Sequence, residues 1–157
     1  MNPSDLDMHA MQLAIEASRQ AMVNGNMPFG ATLVKNGQVI AVASNDQITE
    51  KTCLGHAETV LVRQMELAGR HEDLRNSTVY ASGEPCPMCA GSMFWSGVSK
   101  VIFAASSQDL KSVLGAPALS TTCAEVLFNS DPHIEVVGGF LREQAMAVLN
   151  EFAVKKT

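Results

Sequence analysis

Apolar positions in this chain follow two alternating periods, and the changes between them divide it into short helices and strands. Ser4 or Asp5 can cap a first helix carrying Met8, Met11, Ala14, Ile15 and Met22 and ending near Asn24-Gly25. Two apolar runs, Ala31-Thr32-Leu33-Val34 and Val39-Ile40-Ala41-Val42, then flank Asn36-Gly37, the pair best suited to a tight hairpin turn. A polar loop from Asn45 to Gly55 leads to a second helix over about His56 to Ala68, rich in helix formers and stopped by Gly69. Thr78-Val79-Tyr80-Ala81 reads as a third strand. Pro87 opens a third helix through Trp95, with Gly97 just past its end. Lys100 to Ala105 is a fourth strand, and Asp109 to Asn129 is at least partly helical, since Thr122 and Glu125 form a capping-box pattern. Ile134 to Val137 reads as a fifth strand and Leu141 to Val154 as a closing helix.

Helices alternating with short apolar strands predict a three-layer α/β/α sandwich. A helical crossover between the fourth and fifth strands requires those two to run parallel. No repeat or low-complexity linker interrupts the pattern, so a single domain is expected over residues 1–157.

Composition narrows the classes of function. Hydrophobic residues make up 46% and charged residues 17%, a globular balance. The net charge of −5 argues against an extended phosphate-gripping surface. No apolar run approaches the roughly 20 residues needed to span a bilayer. The N-terminal stretch, Met1 to Asp7, is acidic and polar and does not read as a signal peptide. Four cysteines in such a chain are expected to be reduced thiols or metal ligands, and the expected compartment is the cytoplasm.

The chemistry concentrates in two motifs. His56-Ala57-Glu58 supplies an imidazole and a neighbouring carboxylate, and Pro85-Cys86-Pro87-Met88-Cys89 supplies two thiolates about one helical turn apart. Both motifs fall at predicted helix starts, where free N–H groups and the helix dipole favour thiolates. His56, Cys86 and Cys89 can therefore hold Zn²⁺ and leave the fourth tetrahedral position for water. Glu58 is the expected catalytic proton carrier beside that water. A rival pattern uses Cys53, three residues before His56, as a fourth ligand, which would close the site and make the zinc structural.

A histidine-x-glutamate followed by Pro-Cys-x-x-Cys marks zinc nucleobase deaminases. From about residue 5 to its end the chain resembles the cytidine deaminase-like superfamily. The resemblance implies a five-stranded mixed sheet between helices, a zinc site at two helix N-termini and a homodimer whose pockets are finished by the neighbouring subunit. Pro28-Phe29-Gly30-Ala31, His56-Ala57-Glu58 and Glu84 to Cys89 are most similar to the branch of guanine deaminases, yeast-type cytosine deaminase and bacterial tRNA adenosine deaminases. By that likeness Asn45 would hydrogen-bond the base, the Ala57 backbone would contact the ring and Phe29 would wall the pocket. The plainer readings are a turn for Asn45 and core packing for Phe29. Glu84 is read either as orienting the ligands or as ending its strand.

The chain departs from the guanine pattern, which carries acidic residues in the loop after the fourth strand and a C-terminal aromatic. Here Gly115-Ala116-Pro117-Ala118 and Lys155-Lys156-Thr157 stand in those places, leaving Asp109 and Phe152 as the nearest candidates for the two tasks. A cytosine- or isocytosine-like amino-oxo pyrimidine therefore competes with guanine. Basic residues are scattered, with only Lys155-Lys156 paired, and the closing helix lacks the several cations usual in tRNA-editing relatives. The expected function is thus hydrolytic deamination of a free nucleobase, zinc-activated water attacking the amine-bearing ring carbon and ammonia leaving. Wobble adenosine deamination in tRNA is the alternative. Met88, Ala90, Met93, Phe94, Trp95 and Val98 surround the third helix with apolar groups, so one side is expected on the sheet and another on a symmetric partner. His9, His71 and His133 are read as surface or capping residues, and Cys123 as a small buried hydrophobe.

Overall fold

Ser4 starts the first helix, α1 (Asp5–Val23), through a reciprocal cap: its hydroxyl accepts from Asp7 N at 3.1 Å while its own N–H donates to Asp7 Oδ2 at 2.8 Å. The computed structural model describes residues 3–115 and 117–156. Ala116 and Thr157, which belong to the loop and terminus singled out above, lie outside the described residues.

The hairpin forms where Asn36-Gly37 predicts it. Asn36 at φ 50° and Gly37 at φ 74° supply the two positive angles that let β1 (Gly30–Lys35) and β2 (Gln38–Ser44) twist together. Thereafter come α2 (Ala57–Leu67), a 3₁₀ turn at His71–Asp73, β3 (Thr78–Gly83), α3 (Pro87–Ser96), β4 (Lys100–Ala105), α4 (Ser107–Leu114), α5 (Cys123–Leu127), β5 (Glu135–Val137) and α6 (Arg142–Lys156). The expected helical stretch after β4 is thus two helices. Each starts with its own capping box, Ser106 with Asp109 and Thr122 with Glu125. The 3₁₀ turn had no signal in the periodicity.

The strands lie in the order β2-β1-β3-β4-β5. β1 is antiparallel to both β2 and β3, whereas β3, β4 and β5 are parallel, as their helical crossovers require. Alternation along the strands divides the core in two. Leu33, Val79 and Val101 face a cluster with Leu61 and Met65 of α2, Met93 of α3 and Leu127 of α5. Val34, Tyr80 and Ile102 face Met11 and Ile15 of α1 and Val148 and Leu149 of α6. This is the five-stranded mixed sheet between two helical layers.

Gly30 marks the closest approach between layers. A Cβ there would stand 2.1 Å from Ala14 O and 2.6 Å from Ser18 N, so α1 can lie on β1 only against a residue without a side chain.

Asp109 of α4 is held to α6 by Arg142, whose Nε reaches Oδ2 at 3.0 Å and whose Nη2 reaches Oδ1 at 2.6 Å. The Arg142 guanidinium, against a smaller opposing effect of burial and with help from Ser106, holds the Asp109 carboxyl down to about 2. A carboxyl lowered in the folded state stabilises above its ordinary range near ~4 and loses that contribution as pH falls through its folded value. Arg142→Leu should therefore lower the unfolding midpoint most near pH ~7, with the deficit shrinking between pH ~4 and ~2. Thermal melts of both proteins across that range check this; a deficit independent of pH would show that the pair carries none of the linkage.

Candidate metal centre

Two helix starts converge to make the site. His56 is the N-cap of α2 and Cys86 the N-cap of α3, both with extended backbone (ψ 143° and 169°) and neither using its side chain as a cap. Those side chains are free to meet in front of the helices. Pro87 occupies the first turn of α3, where its missing N–H costs nothing, and Cys89 follows one turn after Cys86. The resulting triangle has Cys86 Sγ 3.6 Å from Cys89 Sγ, with His56 Nδ1 3.4 Å from the first sulfur and 3.5 Å from the second.

These distances test whether zinc fits. Zinc–sulfur bonds of about 2.3 Å and zinc–nitrogen bonds of about 2.0–2.1 Å at tetrahedral angles place two sulfurs about 3.8 Å apart, and sulfur and nitrogen about 3.5–3.6 Å apart. The three donors thus stand nearly where one tetrahedral ion would hold them. Among the described residues no fourth His, Cys, Asp or Glu joins the group. Cys53, the fourth ligand of the rival pattern, is exposed and outside it.

Proton affinities inside the triangle follow from its contacts. The hydrogen-bonding contact with the Cys89 sulfur, with His56 also beside it, holds the Cys86 thiol down to about 4 despite burial. His56 is raised in return, chiefly by its contact with Cys86. Cys89 is pushed up by that same sulfur contact and by burial. The group accordingly holds one ready thiolate, and a bound cation would draw the second proton off.

Glu58, in the first turn of α2, is only 6% exposed. Burial pushes its carboxyl up to about 7, against the opposing pull of its own backbone N–H and of His56. Cys123 is buried close by; burial first, then the charges of Glu84, Glu58 and Cys86, push its thiol up to about 12.

The loop between β2 and α2 sets where His56 stands. Asp46 N donates to Gly55 O at 3.0 Å and closes the loop at its base. A Cβ on Gly55 would lie 2.7 Å from the backbone Gln47 N, so that closure needs glycine. Asn26 clamps the far side, its buried Oδ1 accepting from Ile48 N and Thr49 N at 3.0 Å each. Neither residue stood out in the sequence. The partners of Asn26 lie more than twenty positions away.

The substrate-side candidates fall into place unevenly. Phe29 O accepts from Asn45 N at 2.9 Å, which joins those two residues through the backbone. The Phe29 ring packs against both core clusters and over Gly83, where a Cβ would lie 2.9 Å from Cε1. Asn45 does make the turn: its Oδ1 accepts from Gln47 N at 3.0 Å and its Nδ2 donates to Gln47 Oε1 at 2.9 Å. One Nδ2 hydrogen is left for another partner. Ala57 is fully buried. Asp109 has both oxygens engaged by Ser106 and Arg142, and Phe152 is buried with the Lys156 ammonium 5.0 Å above its ring.

Comparison with known proteins gives the same picture. The zinc-binding region of cytidine and deoxycytidylate deaminases matches residues 4–105. A probable cytosine deaminase of Schizosaccharomyces pombe is 31% identical over 147 residues, covering 91% of this chain and 90% of that protein. A tRNA-specific adenosine deaminase of Bacillus subtilis is 37% identical over 142 residues, covering 90% and 85%. The solved guanine deaminase of Nitrosomonas europaea superposes with a TM-score of 0.80 over 98% of this chain and 87% of its own, a likeness of fold at 23% identity.

The triangle predicts one zinc per chain in the purified protein. Cys86→Ser or Cys89→Ser should lose most of it, whereas Cys53→Ser should keep it. Metal-to-protein ratios measured by atomic emission decide this, and zinc lost with Cys53 would restore the closed four-ligand site.

Proposed function

Because this chain belongs to the cytidine and deoxycytidylate deaminase family, we propose that it hydrolyses the exocyclic amine of a free nucleobase. The observation that carries the reading is a buried carboxyl, Glu58, set in the first turn of the helix that His56 caps, beside a triangle of zinc ligands with no fourth protein donor among the described residues. Zinc held by His56, Cys86 and Cys89 would supply Lewis acidity, which activates water as a nucleophile near neutral pH. Glu58 then has a proton to take from that water, since its carboxyl lies buried beside the ligands in the first turn of α2. Delivered to the ring nitrogen, that proton lets the amine-bearing carbon accept oxygen. The second water proton goes to the amine, which leaves as ammonia, and the ring keeps the oxygen as a carbonyl. Asn45 would offer its remaining Nδ2 hydrogen to the base, with Phe29 and the Ala57 backbone against the ring.

Charge favours a small substrate. Six of the eleven Lys and Arg residues are paired with carboxylates, in a chain of net charge −5. A phosphate backbone would meet few free cations. Identity of 37% to a tRNA-specific adenosine deaminase supports the second reading, an adenosine in an anticodon loop. Ammonia release from guanine, cytosine, isocytosine, adenine and a short anticodon hairpin separates them. A free amino-oxo base should turn over; release from the hairpin alone would replace the first reading with the second. Glu58→Gln should keep its zinc and lose about 10²–10⁴ in rate, and full turnover in that variant would remove Glu58 from the chemistry.

A homodimer completes the proposal. Trp95 is 85% and Leu67 76% exposed, and Trp95 shares an open depression with Leu74 and Arg75. Large apolar side chains so exposed at the ends of two packed helices fit contact with a second copy. Light scattering should return twice the 16.8 kDa chain mass; a single-chain mass would refute the dimer.

A further inference from the structure

Glu84 stands between the end of β3 and the ligand segment Pro85-Cys86, and its backbone N–H donates to Ala105 O at 2.7 Å beside the β3–β4 ladder. Its carboxylate serves two elements far along the chain. Oε2 accepts from Ser107 N at 2.7 Å and Oε1 from Cys123 N at 3.0 Å, the first residues of α4 and α5. Both are N–H groups that a helix start leaves without an internal partner. The Ser106 and Thr122 hydroxyls do not satisfy them, since those accept from Asp109 N and Glu125 N, two residues further on. One carboxylate therefore closes both ends of the 107–123 segment.

That segment borders the metal centre at one end and the Phe29 ring at the other. Cys123, fully buried, packs in the same cluster as Ala57, Ala90 and Met93, and the charges of Glu58 and Cys86 reach its thiol. On the other side, a Cβ at Gly83 would meet Phe29 Cε1 at 2.9 Å and Leu110 Cδ1 of α4 at 3.3 Å, so α4 adjoins the ring assigned to the pocket wall. Between α4 and α5 the described residues of 115–121 are all exposed.

We propose that Glu84 is a positioning residue for substrate: by bonding the starts of α4 and α5 to the ligand segment, it holds α4 and the start of α5 as one wall of the pocket. The inference rests on the deaminase reading and adds a determinant of substrate affinity to it. Glu84→Ala removes both acceptors. Glu84→Gln keeps the shape and one acceptor oxygen but turns an N–H₂ toward the other donor, so it should fold and show a milder form of the same defect.

The test has three measurements on zinc-loaded protein. Zinc content should stay at one per chain. Amide exchange should rise about tenfold or more over 107–127 and stay at the parent value in the β1–β2 hairpin. With each panel substrate that the parent deaminates, KM should rise about tenfold while kcat changes by less than about threefold. Parent-like exchange or KM in both variants overturns the proposal. So does loss of zinc together with kcat, which would make Glu84 a support of the ligands, and so does global unfolding of Glu84→Gln, which would make it part of the framework. An inert parent is a different outcome: the deaminase reading itself then falls, and the substrate role of Glu84 with it.

Discussion

Three lone-pair donors held within 3.6 Å of one another are a constraint that the rest of this molecule is arranged to satisfy. Two thiolates so close repel each other, and without a cation one of them must keep its proton. The opposing proton affinities of Cys86 and Cys89 record that conflict. Two helix N-termini ease it by directing partial positive charge and free N–H groups toward the sulfurs. A divalent cation would resolve it fully, which is why ligand geometry and thiol chemistry lead to the same conclusion.

Keeping the donors in register requires rigid backbone on both sides. Cys86 and Cys89 follow β3, an interior strand bonded to β1 and β4. His56 follows a loop that closes on itself through Asp46 and Gly55 and is clamped by Asn26. Packing of α2 on α3 through Leu61, Met65 and Met93 brings the two helix starts together. Glu58 shares the first turn of α2 with His56, so whatever places the ligand also places the carboxyl at the same depth. Its raised proton affinity is a result of that placement, since desolvation is the dominant cause.

The segment from α4 to α5 is built differently. The metal triangle sits on helix starts braced by the sheet, whereas the segment from α4 to α5 combines packing of Leu110, Cys123 and Leu127 with polar contacts from Glu84 at both ends and from Arg142 on Asp109. Relatives similar along most of the chain bear names for cytosine and for tRNA adenosine substrates.

Local chemistry determined much of this protein from the chain alone. The Asn36-Gly37 hairpin, the capping box at Thr122, the glycine stop after α3 and the three metal ligands all act over four residues or fewer, or repeat a motif of fixed spacing. Such signals survive in the sequence because backbone angles and near-neighbour bonds enforce them. Tertiary structure decided the rest. Asn26 finds its partners 22 and 23 positions away, Glu84 at 23 and 39, and Asp109 at 33. No periodicity encodes such pairings, because each polar group could bond many donors and only the strand order β2-β1-β3-β4-β5 determines which ones come within reach. Asp109 and Glu84 show the consequence. In the fold Asp109 bonds Ser106 and Arg142, and Glu84 bonds the N–H groups of Ser107 and Cys123.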